Sequence, residues 1–280
     1  MLKIISWYMA HKYESWRDLA KMEIDLALLQ ETYQPPPDVT ADIEIDPAPW
    51  ETPAPDHRGW WRTAIAKVSD RVDVEWLEAK SIGSSAYGEF AVSAPGTVTA
   101  ARITPPNGDP FVAVSMCAEW ERPHPIVGGS WIYADASAHR IVSDLAVFVG
   151  KQRRHRILAA GYLNIYRGYG ERGSRYWADR YETVFERFKA MGLPFIGPEA
   201  PNGRTANPWP DELPCDSRTV PTFHSNQQSP ATASHQLDFV FASEGFADRL
   251  AVCAHNEPAD WGPSDHCRIG IELSEPKGNG

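Results

Sequence analysis

The stretch "DLALLQET" at residues 25–32 is an apolar run that ends on a glutamate. So apolar a strand is a buried one, and a carboxylate at its tip is held rigidly while the loop beyond leaves it open. The first residues are of the same kind, with "LKIISWYM" at 2–9 rich in apolar and β-branched side chains. Between the two runs, "ESWRDLAKM" (14–22) sets Trp16, Leu19 and Met22 at helical spacing. The chain therefore opens strand–helix–strand, the beginning of an α/β protein.

The pattern continues outward from there. Residues 34–59 are rich in proline and acid and predict a long surface loop. "WWRTAIAKVS", "VDVEWLEAK", "FAVSAPGTVTAARIT" and "PFVAVSMCA" predict four strands separated by turn signals such as "PNGD". "YADASAHRIVSDLAVFVGK" places Ala138, Ile141, Leu145 and Phe148 on one face, which predicts an amphipathic helix lying on a sheet. A strand over 156–163, a helix over about 174–191 and a Pro-rich loop to 233 follow. "HQLDFVFA" and "CRIGIEL" are the last two strands. Many strand runs with few helices, and no break in composition, predict one domain over 1–280 with two packed sheets covered by helices.

Composition narrows the function. The 280 residues hold 42% hydrophobic side chains, enough for a large core, and no run of about 18 apolar residues suited to a membrane span. The net charge of -10 disfavours general DNA binding, which rests on basic patches. "KQRRHR" at 151–156 is one basic cluster, whose plain reading is a solvated helix end. Cys117, Cys215, Cys253 and Cys267 form no C-x-x-C pair, so zinc-ribbon and thioredoxin readings fall away and free thiols in a reducing cytoplasm are expected.

Polar residues stand at the ends of the predicted strands: Glu31 after "LALLQ", Asn164 after "ILAAGYL", Asp238 within "HQLDFVF", and Asp265 and His266 before the last strand. Carboxylates mounted this way suit a hard cation such as Mg²⁺, which takes one or two of them with water and phosphate oxygens. A histidine beside a carboxylate suits a general base.

"KIISW", "DLALLQET", "ILAAGYLN", "VPTFHSNQQSPATASHQLDFVFAS" and "GPSDHCRIGIEL" together resemble, in order and spacing, the endonuclease/exonuclease/phosphatase superfamily over nearly the whole chain. The resemblance implies a four-layer α/β/β/α sandwich of two mixed, mainly antiparallel sheets flanked by helices, with the site at one edge of the paired sheets. It implies Glu31 as the principal Mg²⁺ ligand and Asp265 as a second group at the metal. It implies His266, held by Asp238, on the scissile phosphate, and Asn164 as a donor to the phosphoryl oxygens.

Three positions depart from that family's pattern. The first strand of the family usually reads S-W-N, and here it reads Ser6-Trp7-Tyr8. A histidine usually stands where this chain has Cys117, paired with a carboxylate for which Glu89 is the candidate. The strand at 157–164 usually reads G-D-x-N, and here it reads Gly161-Tyr162-Leu163-Asn164. A phenol with an ordinary pKa of about 10 is a poor base at neutral pH, and losing a general base costs roughly 10²–10⁴ in rate. The expectation is thus an enzyme with impaired phosphodiester hydrolysis and altered chemistry on a small, aromatic-compatible molecule. Tyr8, Tyr162, Cys117, Asn164, His266 and Asp238 are its candidate catalytic groups. The alternatives are a Mg²⁺-dependent phosphoesterase or nuclease working through Glu31, Asp265 and His266, a site for Fe or Cu, metal-independent action, and a non-catalytic binding module.

Overall fold

In the computed structural model, which describes residues 1–50, 61–120, 134–149 and 155–275, the two opening apolar runs become parallel neighbours. β1 (Leu2–Tyr8) and β2 (Leu26–Thr32) pair from Ile4 against Leu26 to Tyr8 against Gln30, and α1 (Tyr13–Leu19) crosses between them. Then come β3 (Glu44–Ile45), β4 (Arg62–Lys67), β5 (Asp73–Leu77), β6 (Lys80–Ser81), β7 (Ala91–Val92), β8 (Val98–Thr104) and β9 (Phe111–Cys117). The helix α2 (Ala134–Val149) leads to β10 (Ile157–Tyr162), and α3 (Arg175–Ala190) to β11 (Phe195–Gly197), β12 (Asp238–Ala242), β13 (Leu250–His255) and β14 (Arg268–Leu273).

One sheet runs β13-β14-β1-β2-β4-β3 and the other β11-β12-β10-β9-β8-β5. Each is antiparallel except at its centre, where β1 lies parallel to β2 and β9 parallel to β10. Alternation along the strands sorts the core into three layers. Ile4, Leu26 and Leu28 of the first sheet meet Ala113, Leu158 and Val240 of the second between the sheets. Ile5, Trp7 and Leu29 face outward against Trp16 and Leu19 of α1. Ala159, Phe239 and Phe241 face outward against Ile141 and Leu145 of α2 and Phe185 and Phe188 of α3. The fold is therefore the expected α/β sandwich, and burial of each large apolar side chain stabilises it by about 1.5–3 kcal/mol.

The differences from the sequence reading are local. The stretch after residue 33 is not all surface loop: Val39 and Ile43 are buried and β3 closes the sheet edge, while residues 51–59 lie outside the described residues. "FAVSAPGTVTAARIT" is two strands, β7 and β8, divided at Pro95 and Gly96. β11 and β13 were not expected. Of the 151–156 basic cluster only His155 and Arg156 are described, and Arg156 bonds Asp109 at 2.5 Å. On α3, Tyr181 and Phe185 are core as expected, whereas Tyr176 is exposed.

A polar stitch at the centre crosses the apolar layer between the sheets. Gln30 Nε2 donates to Ser115 Oγ at 2.9 Å and to Ser6 Oγ at 3.3 Å, and Ser115 Oγ donates to the Leu29 carbonyl at 2.7 Å. It ties β1 and β2 to β9 one step below their tips.

Candidate functional site

The tips of the two central parallel pairs converge. Within the second sheet, Tyr162 stands in register with Cys117 on one side and Asp238 on the other, so the three side chains share the face turned toward the first sheet. Tyr8 ends the strand opposite. Gly161 makes this packing possible, because a Cβ there would sit 1.9 Å from the Met116 carbonyl oxygen. His266 arrives from the segment before β14. Its backbone N–H donates to Ser264 Oγ at 3.0 Å, and that hydroxyl donates to the Tyr8 carbonyl at 2.7 Å, which pins the segment to the end of β1. Trp7, on the opposite face of β1, adds a bond from Nε1 to the His266 carbonyl at 3.2 Å.

His266 and Asp238 form the expected pair, Nδ1 to Oδ2 at 2.8 Å, with side chains only 2% and 3% exposed. Two tyrosine rings lie over them. The Tyr8 ring stacks on the imidazole with centroids 4.2 Å apart, and the Tyr162 ring meets it edge-on at 5.0 Å. The two phenol rings touch each other at 5.1 Å. Above them opens a cavity of about 1130 Å³ that Tyr8, Tyr162, Asn164, Glu31 and Asp265 line, while His266, Asp238 and Cys117 do not reach it. Cys117 is instead buried with Trp61, flanked by Tyr33 and Tyr162. Glu89, its expected partner, is at the surface bonded to Lys80 at 2.7 Å, so that expectation is corrected.

Glu31 faces the cavity from a strained backbone, with φ +43° at a register shift between β2 and β4. Its Oε2 accepts the Tyr8 phenol at 2.5 Å and lies 3.0 Å from His11 Nε2. Ala10 (φ +51°), His11 (φ +58°) and Asn164 (φ +55°) share the left-handed conformation, so four non-glycine outliers ring one cavity. His11 stacks on Tyr33 with centroids 4.8 Å apart. The sequence reading passed over His11, and also Lys12, Trp61, Glu119, Trp120 and His224, which complete the walls. Only the polar "AHK" directly after an apolar strand end hinted at His11.

The electrostatics of the floor are uniform in sign. Burial, and next the charge of Glu31, pushes the Tyr8 phenol well above its ordinary value. Burial followed by Glu31, Cys117, Asp238 and Asp265 does the same to Tyr162, and burial followed by Glu31, Glu119 and Asp238 to the Cys117 thiol. Burial alone would lower the His266 imidazole, but the charge and hydrogen bond of Asp238, with Asp265 and Glu31, carry it above its ordinary value. The floor is thus two neutral phenols, with a neutral thiol beneath them.

Metal ligation can be judged from the donors. Among the described residues no group of three His, Cys, Asp or Glu side chains is placed to share an ion. Fe and Cu sites draw on several such donors, and Cys117 does not reach the cavity to supply one. Mg²⁺ asks for only one or two carboxylates. Glu31 and Asp265 both line the cavity, and Asp265 Oδ1 is buried with no hydrogen-bond partner, so residues of the right type are present.

Two sheets packed face to face and flanked by helices, with polar groups at the tips of the central strands, define an α/β sandwich. Solved structures of that class resemble this chain over nearly its full length. An AP endonuclease from Archaeoglobus fulgidus is 15% identical with a TM-score of 0.63, covering 98% of this chain and 100% of its own. The AP endonuclease LMAP from Leishmania major is 13% identical with a TM-score of 0.62, covering 98% and 88%. An endonuclease/exonuclease/phosphatase from Bacteroides vulgatus is 16% identical with a TM-score of 0.57, covering 98% and 99%. No protein-family model and no curated protein matches the sequence. The chain has the endonuclease/exonuclease/phosphatase fold. No helix among the described residues is long and apolar enough to cross a membrane.

Proposed function

We propose that this protein uses an endonuclease/exonuclease/phosphatase fold for altered chemistry on a small, aromatic-compatible molecule, with ordinary phosphodiester hydrolysis impaired. The observation that carries the reading is the tyrosine floor. Tyr8 and Tyr162 separate the His266–Asp238 pair from the cavity, and Tyr8 engages the Glu31 carboxylate. A general base must come within hydrogen-bond reach of the proton it takes, and the rings stand in that space. The groups that do reach a ligand are the Tyr8, Tyr162 and Asn164 donors and the Glu31 acceptor. His266 and Asp238 support the floor from below, and Cys117 packs it. The cavity of about 1130 Å³ suits a small molecule.

A second reading, a Mg²⁺-dependent phosphoesterase, is favoured by one observation, the unpartnered Asp265 Oδ1. Glu31 and Asp265 would hold the ion, which when bound would polarise a phosphoryl oxygen. This chain's own contribution would be His266, which requires both rings to move aside.

The test is hydrolysis of bis-p-nitrophenyl phosphate with Mg²⁺ or Mn²⁺. Negligible turnover is expected from the native protein, and a gain of about 10²-fold or more from the combined Tyr8→Asn, Cys117→His and Tyr162→Asp variant. Nuclease-like turnover by the native protein, abolished in Glu31→Ala, would establish the phosphoesterase reading instead. A non-catalytic binding module differs from both in leaving every bound ligand unconverted.

A further inference from the structure

We infer that Tyr162 is the residue that selects this cavity's ligand, by donating its phenol hydrogen to an oxygen acceptor, a carbonyl or phosphoryl oxygen, on an apolar or aromatic body. The inference rests on the small-molecule reading and names the ligand group that meets the floor.

The two phenols of the floor differ in what their hydroxyls already do. Tyr8 donates to Glu31 Oε2 at 2.5 Å, so it reaches a ligand only by leaving that carboxylate. Tyr162 makes no side-chain hydrogen bond among the described residues. Its hydroxyl is not closed off in the way that Asp265 Oδ1 is, and the residue lines the cavity. One donor is engaged and the other is open. Asn164, two residues along, lines the same cavity and also makes no side-chain hydrogen bond among the described residues, so a second open donor borders the same space.

The open phenol is also fixed in place. Tyr162 lies in register between Cys117 and Asp238, and its carbonyl accepts the Ala118 N–H at 2.8 Å. Its ring stands edge-on to His266 at 5.0 Å and to Tyr8 at 5.1 Å, and it packs against the cluster of Trp61 and Cys117. A side chain held by its neighbours in this way loses little freedom when a ligand docks, so its hydrogen bond is made at a low ordering cost. Burial, and then the charge of Glu31, keeps the phenol protonated, so it offers a hydrogen throughout the ordinary pH range. Selectivity follows from the same arrangement. A site that hydrogen-bonds an oxygen rejects the analogue lacking it, because the site's own polar group is then left unpaired.

The experiment is titration of the full chain with acetophenone, phenyl phosphate and ethylbenzene, which carry one ring with a carbonyl, a phosphoryl group or no acceptor. Protein-observed NMR reads both affinity and location. Tyr162→Phe keeps the ring and removes the donor. It is expected to weaken acetophenone or phenyl phosphate by about threefold to tenfold while leaving ethylbenzene unchanged. Weakening of acetophenone identifies a carbonyl and weakening of phenyl phosphate alone a phosphoryl oxygen, and either supports the inference. If the variant is misfolded, the native protein isotope-labelled at tyrosine Cζ decides: the Tyr162 resonance is expected to move with an acceptor probe and not with ethylbenzene. Acceptor probes that bind the variant as tightly as the native chain, equal weakening of ethylbenzene, or a Cζ shift that ethylbenzene reproduces would overturn the assignment to Tyr162 and leave the small-molecule reading standing. No perturbation of cavity resonances by any of the three would overturn both.

Discussion

Two imidazole–carboxylate pairs lie on opposite sides of Tyr8. Below it, His266 and Asp238 are 2.8 Å apart with side chains 2% and 3% exposed. Above it, His11 and Glu31 are 3.0 Å apart with side chains 28% and 16% exposed. One ring serves both, stacking on His266 and donating its hydroxyl to Glu31. The same two functional groups at nearly the same separation therefore have different physical roles. In the sealed pair, desolvation makes each partner dependent on the other. In the open pair both side chains border the cavity and keep partial exposure, so they stand where a ligand can meet them.

The comparison breaks most sharply at Asp238. Asp238→Ala is expected to cost about 3–5 kcal/mol by leaving His266 buried without its partner, read by urea denaturation. A cost under about 1 kcal/mol would mean that water reaches the sealed pair. Tyr8→Phe keeps the ring and removes only the phenol oxygen. It is expected to cost about 1.5–3 kcal/mol, the range for a hydrogen bond to a charged group, with the His266 environment unchanged by NMR.

Alkaline pH tests the buried phenols as a class. Tyr166 is pushed up to about 12 by burial and then by Glu171 and Glu212, and Tyr8, Tyr162 and Tyr169 stand well above their ordinary value. A folded value above the unfolded one means a stabilisation that is complete below pH of about 10 and lost as pH rises beyond it. Denaturation midpoints are expected to hold to about pH 9 and then fall. Tyrosinate absorbance from the buried rings should appear together with unfolding, and its appearance in the folded state would show that the floor is wet. The smallest effect belongs to the open pair. His11→Ala is expected to change stability by about 1 kcal/mol or less, while altering ligand affinity at the cavity.

Most of the architecture was readable because buried strands are written as unbroken apolar runs. β1, β2, β9, β10, β12 and β14 all have that form, and each brings its polar residue near a tip. β13 escaped notice because it is an edge strand with mixed exposure, and β11 and β3 because they span three and two residues. In the site, Glu31, Asn164, Asp265, Tyr8 and Tyr162 do line one cavity as the strand-end pattern suggested. What the pattern could not carry was depth. Cys117 and the His266–Asp238 pair lie below the cavity floor, a matter of which ring lies over which. Glu89 was misplaced for a related reason, since spacing along the chain does not fix distance across a sheet. His11 was passed over because a left-handed turn residue leaves no periodic trace.

The bond from Tyr8 to Glu31 also sets a population. Swinging the Tyr8 ring off His266 breaks a charge-assisted hydrogen bond whose net worth is about 1.5–3 kcal/mol. By that term alone, Tyr8 stands off the imidazole in about one molecule in ten to one in a hundred, since each 1.4 kcal/mol is a factor of ten, and Tyr162 must move as well. Any reagent that must reach His266 meets that minority form first, and its rate is scaled down by the same fraction.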